Sequence, residues 1–153
     1  MKAGLISHEN ALRFIYGGKC FVTFLNTQSE NRFTYKVFKC KDDDSLYFVS
    51  LLTGPEQYTF IGTLTDVNFY HSKKSTIGFD AQSVKVFKYV LNKLKENTLQ
   101  DFIEIYHDGR CGKCGRQLTT PNSVTIGIGP ECLKNINLSI EEKREIKLRQ
   151  LGI

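Results

Sequence analysis

Between Lys19 and His71 hydrophobic and polar positions alternate with a period of two, the mark of strands that bury one side. Lys19–Leu25 is rich in Phe, Val and Thr, and the polar run 26–31 turns the chain back into Arg32–Cys40. There Phe33, Tyr35 and Val37 point one way and Arg32, Thr34 and Lys36 the other, so the two segments predict a β-hairpin. Leu46–Leu52 is almost continuously apolar, which predicts a central strand. Gln57–Leu64 and Val67–His71 predict a second hairpin about Thr65-Asp66, which completes a five-stranded antiparallel meander. The loop Lys41-Asp42-Asp43-Asp44-Ser45 lacks the Gly and Glu of a calcium loop and reads as a solvated turn.

On either side the period becomes helical. Residues 7–16 predict a short helix capped by Ser7 and ended by Gly17-Gly18, with Leu12, Ile15 and Tyr16 on one face; a strand over 12–16 is the alternative. A longer helix, capped by Asp80 or Ser83, runs to about Lys95. Val84, Phe87, Val90, Leu91 and Leu94 form its apolar stripe, the natural cover for one face of the sheet. Phe102, Ile103 and Ile105 predict a sixth strand or an extended lead into the next segment. The capping box Ser139-Ile140-Glu141-Glu142 opens a terminal helix reaching Leu151.

The lead runs into the chain's most specific motif. Cys111 and Cys114 are spaced so that two thiolates of one tight turn reach the same tetrahedral ion. Cys132, after Gly129-Pro130-Glu131, supplies a third thiolate. His107 is the candidate fourth ligand; His71, Asp108 or a water are the alternatives. A redox C-x-x-C opens a helix, whereas Gly115, Thr119, Thr120 and Pro121 break one here, so Zn2+ is the expected cofactor. Its role would be to stabilise a lobe too small to build its own core. The expected class is therefore α+β. An antiparallel β-meander covered by a helix fills residues 1–100, and a small C-terminal zinc-knuckle subdomain with a terminal helix fills 101–153.

The run from Cys111 to Cys132 resembles a small cysteine module of a family of unknown function found in phage and bacterial proteins, whose members read C-x-x-C-G-R-x-L-x-x-P-x-S and then G-x-G-P-x-C. The match falls on Cys111, Cys114, Gly115, Arg116, Leu118, Pro121, Ser123, Gly127, Gly129, Pro130 and Cys132. Upstream, Val49–Pro55, Tyr58–Leu64 and Lys73–Ser75 look similar to phage-borne proteins carrying that module. The resemblance implies a zinc-bearing phage accessory protein and no established activity.

Composition bounds the function. A chain of 153 residues with 41% hydrophobic content is one domain's worth of globular protein. No apolar run is long enough to span a membrane, and Met1–Ser7 lacks the length of a signal segment, so a cytoplasmic protein of a host cell is expected. Of the five cysteines, Cys20 and Cys40 lie in strand-like runs and read as small core residues. No nucleophile elbow, P-loop or dinucleotide fingerprint is present. A deaminase would place its Glu before the C-x-x-C, the reverse of the order here, and three thiolates make zinc a poor Lewis acid; a non-catalytic protein is expected.

The formal charge is +5, and the segment from His71 to Lys95 carries all of it, through Lys73, Lys74, Lys85, Lys88, Lys93 and Lys95 against Asp80 alone. A local basic stripe is the footprint of a polyanion. Lys73, Lys74, Lys85 and Lys88, with Arg110, Lys113 and Arg116 on the knuckle, are the candidate contacts to DNA or RNA phosphates. Some of Phe21, Phe24, Phe33, Tyr35, Tyr47, Phe48, Tyr58, Phe60, Phe69 and Tyr70 are candidate stacking platforms and the others core. The alternative is a module that binds an acidic surface on a host defence or replication protein and inhibits it.

Overall fold

A computed structural model describes residues 4–114 and Gln117. The architecture is α+β, mostly antiparallel sheet with two helices. The strands are β1 (Leu5–Ile6), β2 (Lys19–Asn26), β3 (Arg32–Lys39), β4 (Tyr47–Gly54), β5 (Gln57–Leu64), β6 (Phe69–His71) and β7 (Ile103–His107). The helices are α1 (His8–Ile15) and α2 (Gln82–Glu96). Spatial order is β1-β7-β2-β3-β4-β5-β6, so the meander from β2 to β6 is extended on the β2 side by β7 and then β1.

Alternation sends one set of side chains to a single core. Cys20, Val22 and Phe24 from β2, Tyr35 and Val37 from β3, Tyr47, Val49 and Leu51 from β4, and Ile103 and Ile105 from β7 are buried together. Two helices, rather than the single expected one, close this side. From α2 come Val84, Phe87, Val90, Leu91 and Leu94, the predicted stripe, each side chain stabilising the fold by about 1.5–3 kcal/mol on burial. From α1 come Ala11, Phe14 and Ile15. Phe87 sits at the centre, its ring centroid 4.9 Å from those of Tyr35 and Phe69.

Three details refine the sequence reading. The N-cap of α2 is Ala81, neither Asp80 nor Ser83; Ser83 lies buried inside the first turn, where its carbonyl accepts the Tyr35 hydroxyl at 2.7 Å. β4 is the internal strand that its apolar run predicts, and what the run does not tell is that only the Tyr47, Val49 and Leu51 side is covered. A bulge opposite Val49 and Ser50 inserts Ile61 into β5: Gly62 pairs with Val49 and Phe60 with Ser50. Ile61 thereby reaches the core while Phe60 stays on the opposite side. Gly62 is needed next to it, because a Cβ there would collide with the Tyr70 carbonyl and the Phe69 ring.

Candidate functional site

Two features adjoin at the start of β2. The first is the cysteine turn. β7 ends at buried His107, and Gly109, with φ of +91°, donates its N–H to His107 Nδ1 at 2.8 Å. A bridge between Arg110 and Gln117 closes the loop that contains both cysteines. Cys111 is buried and its sulfur accepts the Lys113 N–H at 3.4 Å; Cys114 is half-buried, and neither forms a disulfide. A backbone N–H aimed at the first sulfur of a C-x-x-C turn suits a thiolate knuckle.

The turn is docked on β2 and α1. Lys19 donates its N–H to the Gly112 carbonyl at 2.7 Å. A Cβ on Gly112 would lie 2.8 Å from the Phe14 carbonyl oxygen, and one on Gly17 would collide with Gly112. Both glycines are therefore required by close backbone approach.

Cys111 and Cys114 lie on one turn. Among the described residues no third His, Cys, Asp or Glu joins them at ligand spacing, and Cys132 lies outside the described residues. His107 Nδ1 accepts the Gly109 N–H, so ligation through that nitrogen requires the Gly109 bond to open. His71 is on β6, five strand spacings from β7, roughly 24 Å, and cannot share an ion with Cys111. Asp108 is paired with Arg110. Cys20 stays a thiol in the core: burial, with the Asp108 charge adding, pushes it well above its usual range.

The second feature is the face of the sheet opposite the helices. Register places Phe21 of β2, Phe38 of β3, Phe48 of β4, Tyr58 and Phe60 of β5, Tyr70 of β6 and Tyr106 of β7 on it. Phe48 is 41% exposed, Tyr70 52% and Leu52 37%. The Phe21 ring meets Phe38 and Tyr58 edge-on, with centroids 5.3 and 5.8 Å apart. Lys36 Nζ stands 5.3 Å from the Phe38 centroid and 5.1 Å from that of Tyr58. The Arg110 guanidinium lies 4.1 Å from the Phe21 centroid and is held by Asp108 Oδ2 at 2.7 Å through Nη2 and 2.9 Å through Nε. Burial, then the Asp108 charge, raises the Tyr58 phenol, and Arg110 opposes them.

The ten aromatic candidates thus divide evenly. Phe21, Phe48, Tyr58, Phe60 and Tyr70 face outward, while Phe24, Phe33, Tyr35, Tyr47 and Phe69 belong to the helix side. Phe38, Tyr106 and Lys36 complete the open face and were missed, although the alternation of β3 and β7 already puts them on that side.

The basic candidates do not form one stripe. Lys73 and Lys74 are exposed beyond the end of β6. Lys85 and Lys88 are exposed on the outer side of α2, with the sheet between them and the aromatic face. Lys93 pairs with Glu96 on the same helix, and Lys95 donates to the Asp66 and Val67 carbonyls, both at 2.8 Å, so Lys95 fastens the end of α2. Arg110 and Lys113 belong to the cysteine turn, and Arg116 lies outside the described residues, as does the terminal helix expected from Ser139.

Among the described residues no helix is long and apolar enough to cross a membrane. No curated protein and no solved structure matches the chain. A family of unknown function (DUF6011) matches residues 104–137, so the similarity spans most of β7, the cysteine turn and the segment that contains Cys132.

Proposed function

We propose that this protein is a non-catalytic binder of single-stranded nucleic acid and that the open face of its sheet is the binding surface. One observation carries the reading: seven aromatic side chains share that face, with the Lys36 and Arg110 cations among them. Every base has a π-face, so rings on a sheet bind single strands without reading sequence, and cations beside them meet the phosphates. Paired bases in a duplex do not offer those faces. Cys111, Cys114 and Cys132 would hold zinc as a structural ion, with His107 as the fourth ligand. The likeness of the cysteine module to phage-borne proteins supports a phage accessory role in a host cytoplasm.

The test is binding of zinc-loaded protein to short single- and double-stranded DNA and RNA across a salt series. Single strands should bind more tightly, and Phe48→Ala should weaken that binding about tenfold, within the range for losing one stacked base. Lys85→Ala with Lys88→Ala should leave it unchanged. Equal affinity of Phe48→Ala and wild type, or no binding near physiological salt, overturns the reading. A stoichiometric protein partner that survives nuclease treatment would replace it with the inhibitor of a host factor.

A further inference from the structure

On the helix side, one end of the core is left open. The turn end of the β2–β3 hairpin, the first part of α2 and the link from Gln100 to Ile103 enclose a cleft of about 260 Å³. The rings of Phe24, Phe33 and Phe102 stand around it, and Val86 and Val90 of α2 are too short to fill the space between them. These walls are built in advance. Phe24 is stacked on Phe87 with centroids 5.9 Å apart, which fixes it to the core. The Phe102 carbonyl accepts both the N–H and the hydroxyl of Thr27, at 2.9 and 2.8 Å, which ties the link to the hairpin turn. A preformed apolar cleft with a few polar groups around it is the usual form of a small-molecule site.

The polar groups narrow the occupant. Among the described residues that line the cleft none is charged; the polar ones are Asn26, Asn31, Gln82, Gln100 and Tyr89. Lys93 stands 5.8 Å from the Tyr89 centroid but is paired with Glu96. A charged ligand would give up hydration here for no opposite charge in the lining. Asn26 Oδ1 accepts the Gln28 and Ser29 N–H groups at 2.9 and 3.1 Å, so its amide offers a ligand donors. Gln100 Nε2 donates to the Tyr89 hydroxyl at 2.6 Å, which leaves the Gln100 carbonyl as an acceptor and the tyrosine proton as a donor. Rings suit a flat occupant, and mixed donors and acceptors suit one with a nitrogen-bearing edge, the combination by which proteins hold a single base. An apolar cavity of about 150 Å³ takes one benzene ring, so the larger volume here suits two fused rings.

We propose that this cleft binds an uncharged purine, as the free base or nucleoside. The site is independent of the nucleic-acid reading above, because its walls belong to the helix side and the sheet lies between them and the open face.

The test titrates adenosine and guanosine into 15N-labelled protein and follows the amide shifts. At least one nucleoside should saturate, with the largest shifts at the cleft. Val86→Phe puts a ring into the space and should abolish binding while Tm holds or rises. Gln82→Leu, at an exposed position in the first turn of α2, keeps the apolar walls and should weaken binding about fivefold through the lost hydrogen bond. Phe48→Ala, on the open face, should leave it unchanged.

No saturable shift with either nucleoside overturns the proposal, as does undiminished binding by Val86→Phe. If Val86→Phe does not fold, undiminished binding by Gln82→Leu overturns it instead. Equal affinity for indole, which has two fused rings and no acceptor edge, would mean that the cleft selects only apolar volume. Tighter binding of adenosine monophosphate would refute an uncharged ligand, and a loss in Phe48→Ala would move the purine to the open face. The nucleic-acid reading stands or falls separately, on oligonucleotide binding by Phe48→Ala.

Discussion

The two faces of the sheet are almost equally rich in aromatic rings and differ in what lies over them. On the helix side Phe24, Tyr35, Phe69 and Phe87 pack ring against ring, and the Tyr35 hydroxyl donates a hydrogen bond to a backbone carbonyl of α2. On the open side Phe21, Phe38 and Tyr58 pack edge-on, but their further neighbours are the cations of Lys36 and Arg110. A ring under a helix is there for stability. Rings on a face that no described helix covers, three of them (Phe21, Phe38 and Tyr58) beside a cation, are the feature on which the proposed binding of single strands rests. The same residue types carry different roles according to which parity of the strand they occupy.

Paired truncations give the sharpest test of that difference. Phe87→Ala removes the ring that contacts Phe24, Tyr35 and Phe69 and should destabilise the protein by about 3–5 kcal/mol. Phe48→Ala removes an equally large ring that is 41% exposed and should change stability by only about 0.5 kcal/mol. Urea unfolding of both variants decides the matter. Similar losses would mean that the open face is a second core, and the comparison would break.

The cysteine turn belongs to neither face alone: its backbone is fastened on the helix side at Phe14, and Arg110 reaches the open side. Gly112→Ala would bring a methyl group to 2.8 Å from the Phe14 carbonyl oxygen, and the displaced turn should lower stability by about 1–3 kcal/mol. Measuring urea unfolding and zinc affinity together shows whether the dock and the ligand geometry move as one. A variant with wild-type values for both would show that the turn hangs free of α1.

Much of this was legible in the residues. Period-two runs locate β2 to β5, and the stripe from Val84 to Leu94 gives α2 its buried side. What local pattern cannot say is which parity of a strand is covered when both are apolar. Leu46–Leu52 reads as a central strand and is one, yet Phe48 and Leu52 face outward, because cover is decided by where distant helices pack. β1 is two residues long and exists only through pairing with β7, a hundred residues away, so no window of sequence reveals it. Lys95 counts toward the basic stripe in the sequence and instead fastens the end of α2, since a long lysine stem reaches carbonyls that its position in sequence does not announce. Cys111 and Cys114 stood out at once because ligand spacing is a local property. Their docking on Phe14 and the reach of Arg110 to Phe21 are tertiary.

The smallest effect contrasts two tyrosines. Burial raises the Tyr35 phenol above its ordinary range, and on the open face it raises Tyr58 as well, with Arg110 pulling back. A tyrosine raised in the folded state stabilises fully below the unfolded value, about 10, and that stability is lost as pH climbs toward the folded value. Unfolding free energy should therefore fall above about pH 10. Tyr35→Phe should flatten that decline, while its lost hydrogen bond to the Ser83 carbonyl lowers stability at neutral pH by about 1 kcal/mol. Tyr58→Phe should change the alkaline limb less, because the exposed side of its ring already meets water and the Arg110 charge offsets part of the shift. Urea titrations from pH 7 to 11 on the two variants measure both slopes. A larger flattening from Tyr58→Phe would place the drier environment on the side without helices, and the assignment of core and surface to the two faces would have to be exchanged.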